Sequence, residues 1–298
     1  MNSPALSGNH GKWINNPSLR KRITAVNLSD SALETLENIN FCAEQEEEIM
    51  AKGTAGKTNT AIELAASVEL QNELEQVKSQ LMAAADELYS PLSDLVRSQL
   101  RRTTPLVHAV IVLTAGVGAP DTAELREKRI WLAAALELLY VALHIHQMLL
   151  TKLAANSQSS PDKSWLGSII LAGDYCFSRS ATLAAQTNSP EVVMIFANAL
   201  KTVNEGHLRQ HFTQEWSDFD ENQRLFEAGA QAAATLVTQD QASITELAKW
   251  GREIATQIQD PSSIQPPSPI TDPHAITPAI QVRRRALQLW LVQNYPVT

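Results

Sequence analysis

From Leu70 onward apolar residues return every three or four positions: Leu70, Leu74, Val77, Leu81, Ala84, Leu88, Leu92 and Leu95. That is the period of a helix face packed against another helix. Ser90-Pro91 interrupts the run and predicts a cap and a restart, because a serine oxygen can hold free N–H groups and proline suits a first helical turn. The same period predicts further helices at about 105–117, 122–152, 165–185, 189–212, 221–237 and 242–258, with Gly, Pro and Asn punctuating the gaps. No stretch alternates apolar and polar residues as a half-buried strand would. Between Asp260 and Pro278 the chain is crowded with Pro and Ser and should form an extended loop, after which a basic helix is expected near Ala279 to Val292. The pattern predicts an all-α helical bundle with short connections.

Upstream of this pattern the chain changes character. Residues 1–62 alternate Asn, Ser and Gly clusters with the acidic run Glu44 to Glu48, too polar to bury much surface, so a disordered tail is expected there and one helical domain over 63–298. At 298 residues and 44% hydrophobic content that domain can build a substantial core. The net charge of -8 argues against binding nucleic acid, which needs concentrated positive charge. Cys42 and Cys176 lie far apart without ligand-spaced companions, so neither a disulfide framework nor a thiolate metal site is implied, and a reducing, cytoplasmic location is expected. Trp131 to Leu150 is the most apolar stretch, yet Glu137, His144, His146 and Gln147 within it would be costly in hydrocarbon. It reads as a buried core helix, with no transmembrane segment expected.

Several local patterns are weak as sites. Gly53-Thr-Ala-Gly-Lys57-Thr58 has Ala51 where a phosphate-binding loop needs glycine, and no strand precedes it. His144 and His146 are two apart on a helix and point in different directions. His207 and His211 do share a face at zinc-ligand spacing, but no third ligand is visible nearby. Asp218, Asp220 and Glu221 form a short acidic run of the kind that starts helices.

Stronger signals lie at longer spacing. The stretch Glu137-Leu-Leu-Tyr140-Val-Ala-Leu-His-Ile-His146 resembles the helix that, in trans-prenyl diphosphate synthases, ends in a histidine followed by the first aspartate-rich motif. Here Gln147, Met148 and Thr151 stand where that motif has aspartates. Leu171-Ala172-Gly173-Asp174-Tyr175, with Phe177 and Arg179, resembles the family's Ala-Gly-Asp-Tyr helix. In the same register Glu205, Gly206, His207 and Gln210 fall on a Glu-Gly-Glu-x-x-Gln pattern, with the second glutamate replaced by His207. Leu225-Phe226 is similar to the end of a Lys-Thr-x-x-Leu-Phe element whose first two positions are Glu221 and Asn222 here. Trp250-Gly251 and Gln259 are similar to the Phe-Gly and Gln that in the family precede the second aspartate motif, whose first two positions fall on Ser262 and Ser263 here. Arg101, Arg102 and Pro105 resemble the segment that binds isopentenyl diphosphate.

The resemblance covers roughly residues 65–290 and implies an isoprenoid-synthase-like helical bundle. Past the Thr277-Pro278 region most members continue for several helices, so a bundle shortened at its C-terminus is expected. The family uses magnesium, held by aspartate oxygens, to neutralise a departing diphosphate. With both motifs replaced, neither catalytic residues nor a metal site is expected, and the substrate-binding positions carried over are Arg101, Arg102, His146, Asp174 and Gln210. The expected role is a non-catalytic or regulatory subunit of a heteromeric prenyltransferase, partnered by an active homologous synthase or by itself as a dimer. Two other readings are an isoprenoid- or lipid-binding protein using the apolar bundle, and a divergent active prenyltransferase drawing on Asp260, Asp218 or Asp220.

Overall fold

The computed structural model describes residues 54–102, 105–155, 163–212, 219–260 and 278–295, with their side chains except at 54–61, 150–155, 163 and 211–212. Ser262, Ser263, Asp218, residues 1–53 and the Pro- and Ser-rich stretch 261–277 therefore lie outside the described residues. Contacts divide the chain into Met1–Ala61 and Ile62–Thr298, and the architecture below is that of the second unit.

Among the described residues all regular structure is helical: α1 Thr54–Asp86, α2 Leu92–Arg102, α3 Val107–Ala115, α4 Ala123–Ala155, α5 Lys163–Gln186, α6 Pro190–Phe212, α7 Glu221–Val237, α8 Gln241–Gln259 and α9 Pro278–Asn294. α1 begins ahead of the boundary expected at residue 63. The heptad-like stripe read from the sequence is its core face, since Leu70, Leu74, Val77, Leu81 and Ala84 are all buried. Burying side chains of this size supplies roughly 1.5–3 kcal/mol each before entropy is counted.

α3 and α4 form the centre. Every residue of α3 from His108 to Ala115 is buried, and α4 buries an almost unbroken run from Leu132 to Leu139. Such helices are apolar all round because neighbours cover every face. α3 packs on α4, α7 and α9; α4 packs on α5 and α7; α7 pairs with α8. By length and composition Ala123–Leu149 could cross a membrane, but 67% of its apolar window is buried inside the bundle, as a core helix requires.

Small residues set the closest approaches. A Cβ on Gly251 of α8 would stand 2.5 Å from the Phe226 carbonyl oxygen and 2.9 Å from Ala230 Cβ on α7. A Cβ on Gly173 of α5 would stand 2.5 Å from His146 Nε2 on α4. These glycines fix how near α7 lies to α8 and α4 to α5, and so where the polar side chains on those helices meet.

Candidate functional site

α4 carries Tyr140 and, one turn later, His144, His146 and Gln147. α6 brings His207 and α7 brings Glu221 to the same place. Gln147 Nε2 donates to Glu221 Oε2 at 2.7 Å and lies 3.3 Å from His207 Nε2. His207 Nε2 in turn stands 2.9 Å from Glu221 Oε2. Three side chains from three helices thus close on one another, with the Glu221 side chain 14% exposed. Burial is the main influence on Glu221 and pushes its carboxyl above the ordinary range; His207, His108 and the Gln147 hydrogen bond oppose it. Asp220 caps α7 by accepting the Gln223 N–H at 3.2 Å, which fixes the turn from which Glu221 projects.

His146 and Asp174 are brought together: His146 Nε2 lies 3.4 Å from Asp174 Oδ1, and its ring stacks on Phe177 at 5.2 Å between centroids. Neighbouring motif residues hold helices in place. The single Tyr175 hydroxyl proton is shared between the Ala84 carbonyl at 2.6 Å and the Glu87 carboxylate at 2.8 Å, and Arg179 pairs with Glu87 at 2.9 Å, tying α5 to the end of α1. Gln210 is exposed and donates to the Phe219 carbonyl at 3.4 Å. Met148 is half-buried, and Thr151 lies in α4 with its side chain outside the described set. Arg101 and Arg102 end α2 on the surface, and Arg102 lines a cavity of about 190 Å³. Pro105, Val107, His108, Tyr140, Asn222, Phe226, Ala255, Ile258, Gln259 and Tyr295 complete the lining.

Sequence reading passed over His108, Glu137 as a site residue, and Tyr295. His108 and Glu137 are polar residues inside apolar runs, a signal that a buried polar role needs a partner. Tyr295 offered no such signal: it reaches the cavity because α9 packs against α3.

The geranyltranstransferase from Methanosarcina mazei superposes with a TM-score of 0.54 at 18% identity, over 64% of this chain and 72% of that one. The decaprenyl diphosphate synthase from Rhodobacter capsulatus gives 0.53 at 19%, over 68% and 67%. The geranylgeranyl pyrophosphate synthase from Lactobacillus brevis gives 0.53 at 14%, over 76% and 84%. The fold is that of the trans-prenyl diphosphate synthases. No protein-family model and no curated protein sequence matches the chain.

The resemblance read from the sequence implies magnesium, which asks for several carboxylate oxygens and waters in an octahedron. Around Gln147 the described donors are its own amide, a thioether at Met148, an imidazole at His207 and the Glu221 carboxylate, which Gln147 and His207 already engage, while the Asp174 carboxylate is paired with His146. Among the described residues no group of three or more His, Cys, Asp and Glu could hold a metal ion. This donor set does not fit magnesium. It offers instead a cross-link between α4, α6 and α7 whose members satisfy one another.

Proposed function

We propose that this chain is an isoprenoid-synthase-fold subunit that does not itself transfer prenyl groups, and that it pairs with an active homologue whose activity or product length it adjusts. The observation that carries the reading is the Gln147–His207–Glu221 cross-link, which stands where the resemblance puts the first aspartate motif. A carboxylate there repels a diphosphate, and Gln147 spends its amide on that carboxylate instead of gathering cations.

A second observation supports the pairing. α5 exposes Ile170 and Leu171, then Ala181 and Ala185, along its outer face, and α6 exposes Val193, Met194 and Ala197. Leu171 and Met194 are 59% and 60% exposed, which is costly in water unless another surface covers them. The geometry gives less support to a carrier of long prenyl chains, because the cavity beside His108 is about 190 Å³ and that beside Gln76, Arg126 and Trp131 about 380 Å³, at or below the low end of the roughly 300–1,000 Å³ of a drug-sized ligand site. A cytoplasmic location belongs to the same proposal.

The test is capture of the tagged full-length chain from its own cells, with mass spectrometry of what accompanies it. A co-purifying prenyl diphosphate synthase, lost when Leu171→Glu and Met194→Glu are introduced together, supports the reading. Recovery of the chain free of any synthase overturns it.

A further inference from the structure

The cavity beside His108 carries hydrogen-bonding groups that the protein leaves open. Tyr140 lines it from α4, Asn222 from α7, Arg102 from the last turn of α2 and Tyr295 from just past α9. The two hydroxyls and the Asn222 amide make no hydrogen bond among the described residues, and all of these atoms retain solvent contact on partly exposed side chains. Arg102 is exposed and forms no ion pair among the described residues. Gln259, by contrast, spends its amide on Asp220. Burial, followed by Glu137 and Tyr140, pushes the pKa of Tyr295 up to about 12, and burial, followed by Glu221 and Glu137, raises that of Tyr140. Both phenols are therefore hydrogen-bond donors at neutral pH, and the influence of Tyr140 on Tyr295 marks their hydroxyls as neighbours.

We propose that this cavity binds a small monocarboxylate with an apolar body, its oxygens taken by the Arg102 guanidinium and the hydroxyls of Tyr140 and Tyr295. A planar guanidinium matches a carboxylate through two parallel hydrogen bonds, and bonds to a charged group are roughly twice as strong as neutral ones. Asn222 adds an amide N–H to the same wall. Val107, Phe226, Ala255 and Ile258 supply the apolar part of the lining. A cavity of roughly 150 Å³ accommodates benzene, so about 190 Å³ admits a ring or a short branched chain with its carboxylate. The local balance limits the ligand to one negative charge: a single guanidinium stands at the wall, while buried Glu137 and largely buried Glu221 act on the Tyr140 phenol. A diphosphate brings more negative charge than that balance can hold. The inference goes beyond the subunit reading and does not depend on it.

Fluorine NMR titration of the full-length chain with 4-fluorobenzoate and its neutral counterpart 4-fluorobenzamide tests it. The benzoate should bind at least about tenfold tighter, the ratio that one charge-assisted hydrogen bond gives. Arg102→Gln changes an exposed side chain that the fold does not use, and should bring the benzoate down to the level of the amide without moving the amide. Tyr295→Phe should weaken the benzoate about fivefold, the loss of one ordinary hydrogen bond. Equal binding of the two probes to the unmodified chain, binding of neither, a preference that either substitution leaves unchanged, or displacement of 4-fluorobenzoate by an equal concentration of inorganic diphosphate would each overturn the proposal. The comparison of the two probes on the unmodified chain decides even if Tyr295→Phe fails to fold.

Discussion

Gly251 and Gly173 both sit at close helix approaches, but what a methyl group would strike differs. At Gly251 it meets the Phe226 backbone, which cannot move without α7. At Gly173 it meets the His146 ring, on a side chain 29% exposed that can swing outward. Gly251→Ala should therefore destabilise by about 1–3 kcal/mol and Gly173→Ala by less, read from urea denaturation midpoints. Glu221 makes a pH-dependent prediction. Its folded pKa is raised above the ordinary 4.5, so the folded state holds that proton more tightly than the unfolded chain does. The stability this lends is full below the ordinary value and lost as pH rises through the raised one. Glu221→Gln cannot ionise, so its stability relative to the unmodified chain should improve steadily from acidic to neutral pH; a pH-independent difference contradicts this. Sequence made Glu221 legible as a replaced lysine. Its pairing with Gln147, 74 positions away, was not legible, because only packing of α4 against α7 brings them together.

The helices themselves were readable because each element has one dominant period and a plain stop. α7 and α8 were expected at 221–237 and 242–258 and are observed at Glu221–Val237 and Gln241–Gln259, each behind an aspartate cap. Asp220 accepts the Gln223 N–H and also a hydrogen bond from Gln259 at the far end of α8, so it serves two elements. Asp220→Ala should cost about 1 kcal/mol in a denaturation series, the usual loss of a cap. What ties α1, α4 and α9 was invisible in sequence. Arg129 on α4 is fully buried and bonds Glu73 of α1 and Asp121, while Arg283 of α9 reaches the same Glu73 at 3.3 Å. Arg129→Met should cost about 3–5 kcal/mol, because it leaves the buried Glu73 carboxylate short of a counter-charge. Adding Glu73→Gln should recover part of that loss; no recovery would show that Arg129 acts through its bulk alone.

For the whole molecule, fold and chemistry were readable to different depths. Landmarks such as Gly173-Asp174 and Trp250-Gly251 keep their spacing because they sit at helix contacts, and the observed fold agrees with them. The His108 cavity needed five helices and Tyr295 to assemble, none of them adjacent in sequence to all the others. The outer faces of α5 and α6 carry the partner proposal, and the Gln147–His207–Glu221 cross-link carries the proposal that catalysis lies elsewhere. That central claim is tested most directly by incubating the purified full-length chain alone with isopentenyl diphosphate, an allylic diphosphate and magnesium, and measuring prenyl product. The account predicts incorporation no greater than the protein-free blank; robust magnesium-dependent condensation would contradict it.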